Sequence, residues 1–174
     1  MHIKIALAAL AATAAFASPA GAQVVTSTAQ AEARGTVLQP LTLSRVQDLD
    51  FGTILASNIA GSVTIDADDG SRSVSGGVAE VGVNGGQRAV FTGAGPAGDQ
   101  VDLVLAPPPG MLLYRDATTS LTITSLVLDL ANSTVRTMDA GGAFSVGVGG
   151  TFAIAAGQPA GVYAADFDLT AEYQ

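Results

Sequence analysis

The sequence predicts an all-β fold, an antiparallel sandwich, on three observations. First, the chain alternates strictly from Tyr163 to Tyr173. Tyr163, Ala165, Phe167, Leu169, Ala171 and Tyr173 share one face, and Ala164, Asp166, Asp168, Thr170 and Glu172 share the other. Eleven residues of period two, stopping one residue before the last, mark a half-buried strand that closes a sheet. Second, Gly, Ala, Thr, Val and Ser dominate, and short apolar runs are punctuated by Gly, Pro and Asp, as in a sandwich with many turns. Third, beyond the first 22 residues no segment carries a sustained helical period with a cap.

Those first residues, 1–22, read as a secretory signal. His2 and Lys4 give a short basic end, Ile5 to Phe16 an apolar stretch, and Ala20-Gly21-Ala22 a small-x-small cleavage site. The stretch is shorter than the about 20 apolar residues that span a bilayer, and no later segment approaches that length, so no membrane span is expected. The expected location is the periplasm, the outer surface or the exterior. An exported chain is free to form disulfides, yet this one has no cysteine, so its stability must come from a core.

Residues 23–34 form an expected N-terminal arm, loosely ordered. Around it, from Val25 to Val37, small apolar residues (Ala29, Ala31, Ala33) alternate with polar ones (Thr28, Gln30, Glu32, Arg34). That pattern suits a strand, and its alanines equally suit a frayed or partly helical tail. Residues 35–174 then make one domain. Strands are expected near 35–46, 49–55, 62–66, 71–75, 78–83, 87–93, 100–106, 111–114, 119–130, 134–138, 143–148, 151–155 and 161–173. Breaks are expected at Asp69-Gly70, Gly76-Gly77, Asn84-Gly85-Gly86, Gly141-Gly142 and Gly149-Gly150, where residues tolerate positive φ. Pro107-Pro108-Pro109-Gly110 cannot sit in a central ladder. The expected core holds Leu41, Leu43, Phe51, Ile54, Val63, Ile65, Val81, Phe91, Val101, Leu103, Leu105, Leu121, Ile123, Phe144, Phe152, Phe167 and Leu169.

Charge and composition exclude several functions. Without Lys4, six arginines face fifteen acids, and such a polyanion repels nucleic acid and anionic lipid. The only histidine and the only lysine are His2 and Lys4, so no serine has a base to activate it. Paired carboxylates suffice for glycoside hydrolysis, but a chain with no Trp and three Tyr lacks the aromatic platforms such clefts add. No catalytic residue and no cofactor site is assigned, and an enzyme is not expected.

Four local patterns were weighed. Gly93-Ala-Gly95-Pro-Ala-Gly98 matches a dinucleotide fingerprint, yet a proline interrupts it and a strand rather than a helix follows. Asp50-Phe51-Gly52 spells a kinase magnesium motif with no partner lysine. Asn132-Ser133-Thr134 fits a glycosylation acceptor and marks a surface loop. Asp66, Asp68 and Asp69 are the candidate metal ligands. Flanked by two strand-like segments, they read first as an acidic hairpin turn and second as a weak calcium site.

From Pro40-Leu-Thr-Leu-Ser-Arg-Val-Gln-Asp-Leu-Asp-Phe-Gly-Thr-Ile54 the chain resembles a secreted bacterial family, the domain of unknown function 4402. Val63-Thr-Ile-Asp66, Ser73-Val-Ser-Gly-Gly-Val78, Gly95-Pro-Ala-Gly98 and Gln158-Pro-Ala-Gly-Val-Tyr163 leading into Phe167-Asp-Leu-Thr-Ala-Glu-Tyr173 match as well. That family is similar in turn to spore-coat-U-like and chaperone–usher pilin domains, with an Ig-like sandwich and a near-terminal tyrosine in the last strand. The resemblance implies an exported, fimbria-like or pilin-like structural subunit of the cell surface. Its implied partners are other copies, joined by strand complementation, and a periplasmic chaperone and outer-membrane usher. The pilin disulfide has no counterpart here. The alternative is a monomeric secreted binding or matrix domain, cation-dependent if the Asp66–Asp69 turn takes calcium.

Overall fold

A computed structural model describes residues 26–37, 39–82 and 85–174. The expected signal, 1–22, lies outside the described residues, as do the start of the arm and Asn84 of the Asn84-Gly85-Gly86 turn. The chain divides into two units, Met1–Thr36 and Val37–Gln174. In the first, residues 26–36 carry no helix or strand and are exposed, with Glu32 and Arg34 paired at 2.9 Å.

The second unit holds ten strands in two antiparallel sheets, an all-β sandwich. They are β1 (Thr42–Gln47), β2 (Ile54–Ile65), β3 (Arg72–Glu80), β4 (Ala89–Ala94), β5 (Gln100–Ala106), β6 (Leu112–Tyr114), β7 (Ser120–Leu128), β8 (Val135–Thr137), β9 (Ala143–Ile154) and β10 (Asp168–Tyr173). The larger sheet runs β1-β4-β9-β2-β3, and β7 joins it through β9 with β6 beyond. The smaller runs β10-β5-β8.

β9 organises the larger sheet. Its first half, Ala143 to Val148, pairs with β4, and its second, Gly150 to Ile154, pairs with β2. β7 pairs with β9 from Val148 to Ala153, overlapping both partners. A strand has two edges, so β4 and β2 must follow one another along one edge while β7 takes the other. At the handover the chain crowds close. A Cβ at Gly147 would strike the Ala67 carbonyl, and one at Gly149 the Ile65 carbonyl. Only residues without a side chain allow this approach.

Two expected turns are therefore not turns. Gly149-Gly150 lies inside a continuous β9, and Gly76-Gly77 inside a continuous β3. Along β2, Ala56 opposes Val78 and Gly61 opposes Gly76, so Ser57–Ala60 bulges out against Gly77. A Cβ on Gly77 would meet the Ile59 carbonyl. β1 starts at Thr42 rather than at 35, because Pro40 offers no N–H and restricts Gln39. The expected strand at 49–55 reduces to a single bridge, Asp50 to Gln87, before β2 begins.

The last expected strand, 161–173, is shorter and shared between sheets. Its ladder covers Asp168–Tyr173 on β5, while Ala164 makes a two-bond bridge to Tyr114 at 2.9 and 3.0 Å. Burial still alternates from Tyr163 to Tyr173. The side chains keep one inward face while the backbone changes sheets.

Two clusters form the core. Ala89, Phe91, Val101, Leu103, Leu128, Met138, Phe144, Val146 and Val148 bind β4, β7 and β9 to β5 across the sandwich. Val63, Val78, Leu121, Phe152 and Ile154 form the second, where Phe51 meets Phe152 edge-on at 4.6 Å. Of the expected core, Leu41, Leu43, Phe51, Ile54, Leu105, Phe167 and Leu169 are half-buried. Val81 is 43% exposed, because it follows the end of β3 and only its N–H is engaged, by Thr53. Among the described residues no helix is long and apolar enough to cross a membrane.

Phe152 is 4% exposed and touches the aromatic anchor of its cluster, so Phe152→Ala removes transfer energy and leaves a cavity. The expected loss is about 3–5 kcal/mol. Val81→Ala is expected to change stability by less than about 0.5 kcal/mol. Urea unfolding of both variants checks the contrast.

Candidate functional site

Sheet edges are where this fold meets its surroundings, and they are not alike. β1 carries a register shift between Arg45 and Gln47. β3 has a glycine pair at its centre, and β6 and β8 are three residues each. Irregularity and shortness of this kind blunt an edge. β10 has neither: Asp168-Leu-Thr-Ala-Glu-Tyr173 contains no Pro or Gly and pairs with β5 without a shift.

The free side of β10 follows from its bonding. Gln174 donates its N–H to the Gln100 carbonyl at 3.2 Å. Bonded pairs alternate along an antiparallel ladder, so Asp168, Thr170 and Glu172 also bond β5. The N–H and C=O groups of Leu169, Ala171 and Tyr173 therefore point to the open edge. Their side chains, with Phe167, are half-buried against the first cluster. Phe167 meets Phe91 edge-on at 6.1 Å.

Across from them, Leu41 and Leu43 of the β1 segment pack on the same cluster. β1 pairs only with β4 and β10 only with β5, so no ladder joins the two. One clasp crosses between them, from the Tyr173 hydroxyl to the Gln39 carbonyl at 3.0 Å. Gly95 makes room for it, since a Cβ there would lie 2.6 Å from the Tyr173 oxygen. The result is a trough with apolar walls, half-exposed floor and unpaired main-chain groups along one side.

The acidic hairpin is placed elsewhere. Asp66 Oδ1 accepts the N–H groups of Asp68 at 2.7 Å and Asp69 at 3.2 Å, and Asp69 Oδ1 accepts Ser71 N–H at 2.7 Å. Asp68 Oδ1 turns away to accept Leu130 N–H at 2.7 Å. Each carboxylate thus serves backbone amides, and among the described residues no three acids converge as a metal cluster. The bond from the Ser71 backbone, helped by its hydroxyl, holds the Asp69 carboxyl below its usual range. Asp116 is depressed further by the Thr118 backbone, then the Thr118 hydroxyl and Arg115.

Sequence reasoning missed a buried pair. Arg136 is 5% exposed and ion-paired to Asp129, whose second oxygen accepts Gly147 N–H at 2.9 Å. The signal was present: period two through 134–138 sets Arg136 on the face of buried Met138. Asp129 opens a left-handed turn in which Leu130, Ala131 and Asn132 have φ of 52°, 56° and 61°. Asn132 Oδ1 closes it by accepting Leu128 N–H at 2.9 Å.

The fold and its open edge define an all-β sandwich domain whose smaller sheet ends on an unprotected strand. A family model described as Domain of unknown function (DUF4402) matches residues 41–173, and the chain belongs to that family. Neither a curated protein nor a solved structure matches it.

Two measurements probe the loops around the sheets. The left-handed region costs about 1–2 kcal/mol for a residue with a Cβ, and glycine's extra unfolded-state freedom offsets roughly 0.5–1 of that. Ala131→Gly is therefore expected to stabilise the fold by about 0.5–1 kcal/mol, read by urea unfolding. Asp69 and Asp116 have depressed folded pKa values, so their contribution is complete above about pH 4 and is lost as pH falls through the folded values. The melting temperature is expected to drop below that pH, and less steeply in the double variant Asp69→Asn, Asp116→Asn.

Proposed function

We propose that this protein is an exported structural subunit of the cell surface, fimbria-like and non-catalytic, whose copies join by strand addition. The observation that carries this reading is the open edge of β10. A regular strand with outward main-chain groups and half-buried Leu169, Ala171 and Tyr173 is a template for another strand. An edge of this kind needs cover before assembly, which gives a periplasmic chaperone and an outer-membrane usher their place as partners. The donor we assign is the arm, 26–34, exposed and without strand partners in its own unit. Its alternating Ala29, Ala31 and Ala33 are small enough to lie over a trough that Leu41, Leu43 and Phe167 already fill.

The bonding pattern supplies the test. Ala171 directs its N–H away from β5, so Ala171→Pro removes a donor from the open edge and leaves the β5 ladder whole. The mature protein is expected to form concentration-dependent multimers on sizing, and Ala171→Pro to remain monomeric with a melting temperature close to the parent's. A chain starting at Gly35 is expected to fold normally and fail to multimerise. A parent that stays monomeric at all concentrations, or an Ala171→Pro variant that assembles as well as the parent, overturns strand addition at β10. If loss of 23–34 collapses the monomer, the arm is an integral strand of its own copy.

A further inference from the structure

A second opening lies on the other side of β5. Leu103 donates its N–H to the Thr134 carbonyl at 2.7 Å, the last bond on that side before β8 diverges. Beyond it the chain from β7 departs as the left-handed turn, and a cavity of about 330 Å³ opens between β5 and β7. Buried Leu103 and Leu128 form its floor, and half-buried Leu105, Met111 and Leu126 its walls.

Three observations mark this cleft as a binding site rather than a packing fault. All four non-glycine residues with positive φ among those described gather here: Met111 and Asn132 line it, and Leu130 and Ala131 share the turn of Asn132. Residues held in this region persist where neighbours over-determine them, and they cluster at ligand clamps. Here the clamps are the bonds to Asp68 and Leu128 described above. Next, the lining contains no charged and no aromatic side chain, so it offers neither a counter-ion for a charged head nor a face for a sugar or base. Finally, the polar groups sit at the rim alone, as the Asn132 amide and the Thr134 hydroxyl. The Asn132 oxygen is engaged by Leu128, which leaves its NH₂ as donor.

We propose that this cleft binds an uncharged aliphatic chain, with a hydroxyl or carbonyl head held at Asn132 and Thr134. A methylene fills roughly the ~30 Å³ of a water molecule, so the cavity takes a chain of about ten carbons. The inference stands apart from strand addition, since none of these residues lies in the trough between β1 and β10.

The test titrates the folded full domain with 1-octanol and with octanoate, followed by amide chemical shifts. Saturable shifts are expected within 103–111 and 126–134, with octanoate weaker by tenfold or more. Thr134→Trp plugs the rim at an exposed position and is expected to abolish them at an unchanged melting temperature. Should that variant not fold, Pro107→Arg places a charge at the opposite rim with the same expected loss. Octanol shifts that never saturate, that centre on the β1–β10 trough, or that survive the rim variant overturn the proposal. Octanoate binding as tightly as octanol overturns the uncharged class.

Discussion

Everything in this sandwich hangs from one strand with three partners. β9 carries β4 and β2 in tandem on one edge and β7 on the other, and contributes buried Phe144, Val146 and Val148 to one cluster and Phe152 and Ile154 to the other. The exchange from β4 to β2 is possible only because Gly147 and Gly149 let the backbone around Ile65 and Ala67 press onto the strand. A glycine in a strand weakens it by roughly 0.5–1 kcal/mol. Each core side chain held in place here contributes more, about 1.5–3 kcal/mol on full burial. The close approach wins because it brings two clusters onto one strand.

That arrangement leaves the smaller sheet lightly supported. β5 is its centre, buried through Val101 and Leu103, but β8 covers only Gln100 to Asp102 on one side and β10 covers the other. Both openings of the molecule trace to this shortfall. Where β8 ends, the cleft begins; where β10 ends the sheet, the trough begins. The outer face adds to the imbalance, because Asp102 and Glu172 stand directly opposite one another and repel. Gln174 relieves part of this by donating its amide to Asp102 at 2.7 Å.

Much of this was legible in the sequence where period two was unbroken. The alternation from Tyr163 to Tyr173 gave the buried face residue by residue, even across the switch from β6 to β5 that no periodicity could reveal. Glycine was read for its tolerance of positive φ, which held at Gly70, with φ of 77°. The same reading failed at Gly77 and Gly149, where the lost side chain matters and the dihedral does not. Close approach is a tertiary fact, and a single chain carries no mark distinguishing it from a turn. The left-handed turn was equally hidden, since Leu130 and Ala131 disfavour that conformation. Asp129, Asp68 and Asn132 hold it from outside its own sequence window. The Asp66–Asp69 acids were found as a group, but what they serve is the backbone around them.

The alanine-rich arm raises an energetic question that the trough answers. Counted by its own methyls, at about 0.8 kcal/mol each on burial, such a strand barely offsets the about 1–2 kcal/mol per residue of ordering its backbone. The acceptor changes the balance. Leu41, Leu43, Phe167, Leu169 and Tyr173 are all half-exposed along the trough, and a strand laid over them buries surface that belongs to the acceptor. The larger hydrophobic gain then comes from the floor, while small donor side chains keep the two backbones close enough for ladder bonds, each a net ~0.5–1.5 kcal/mol. A bulky donor would cover the same floor but stand off from the open edge of β10. In this geometry alanine is the residue type that satisfies both requirements.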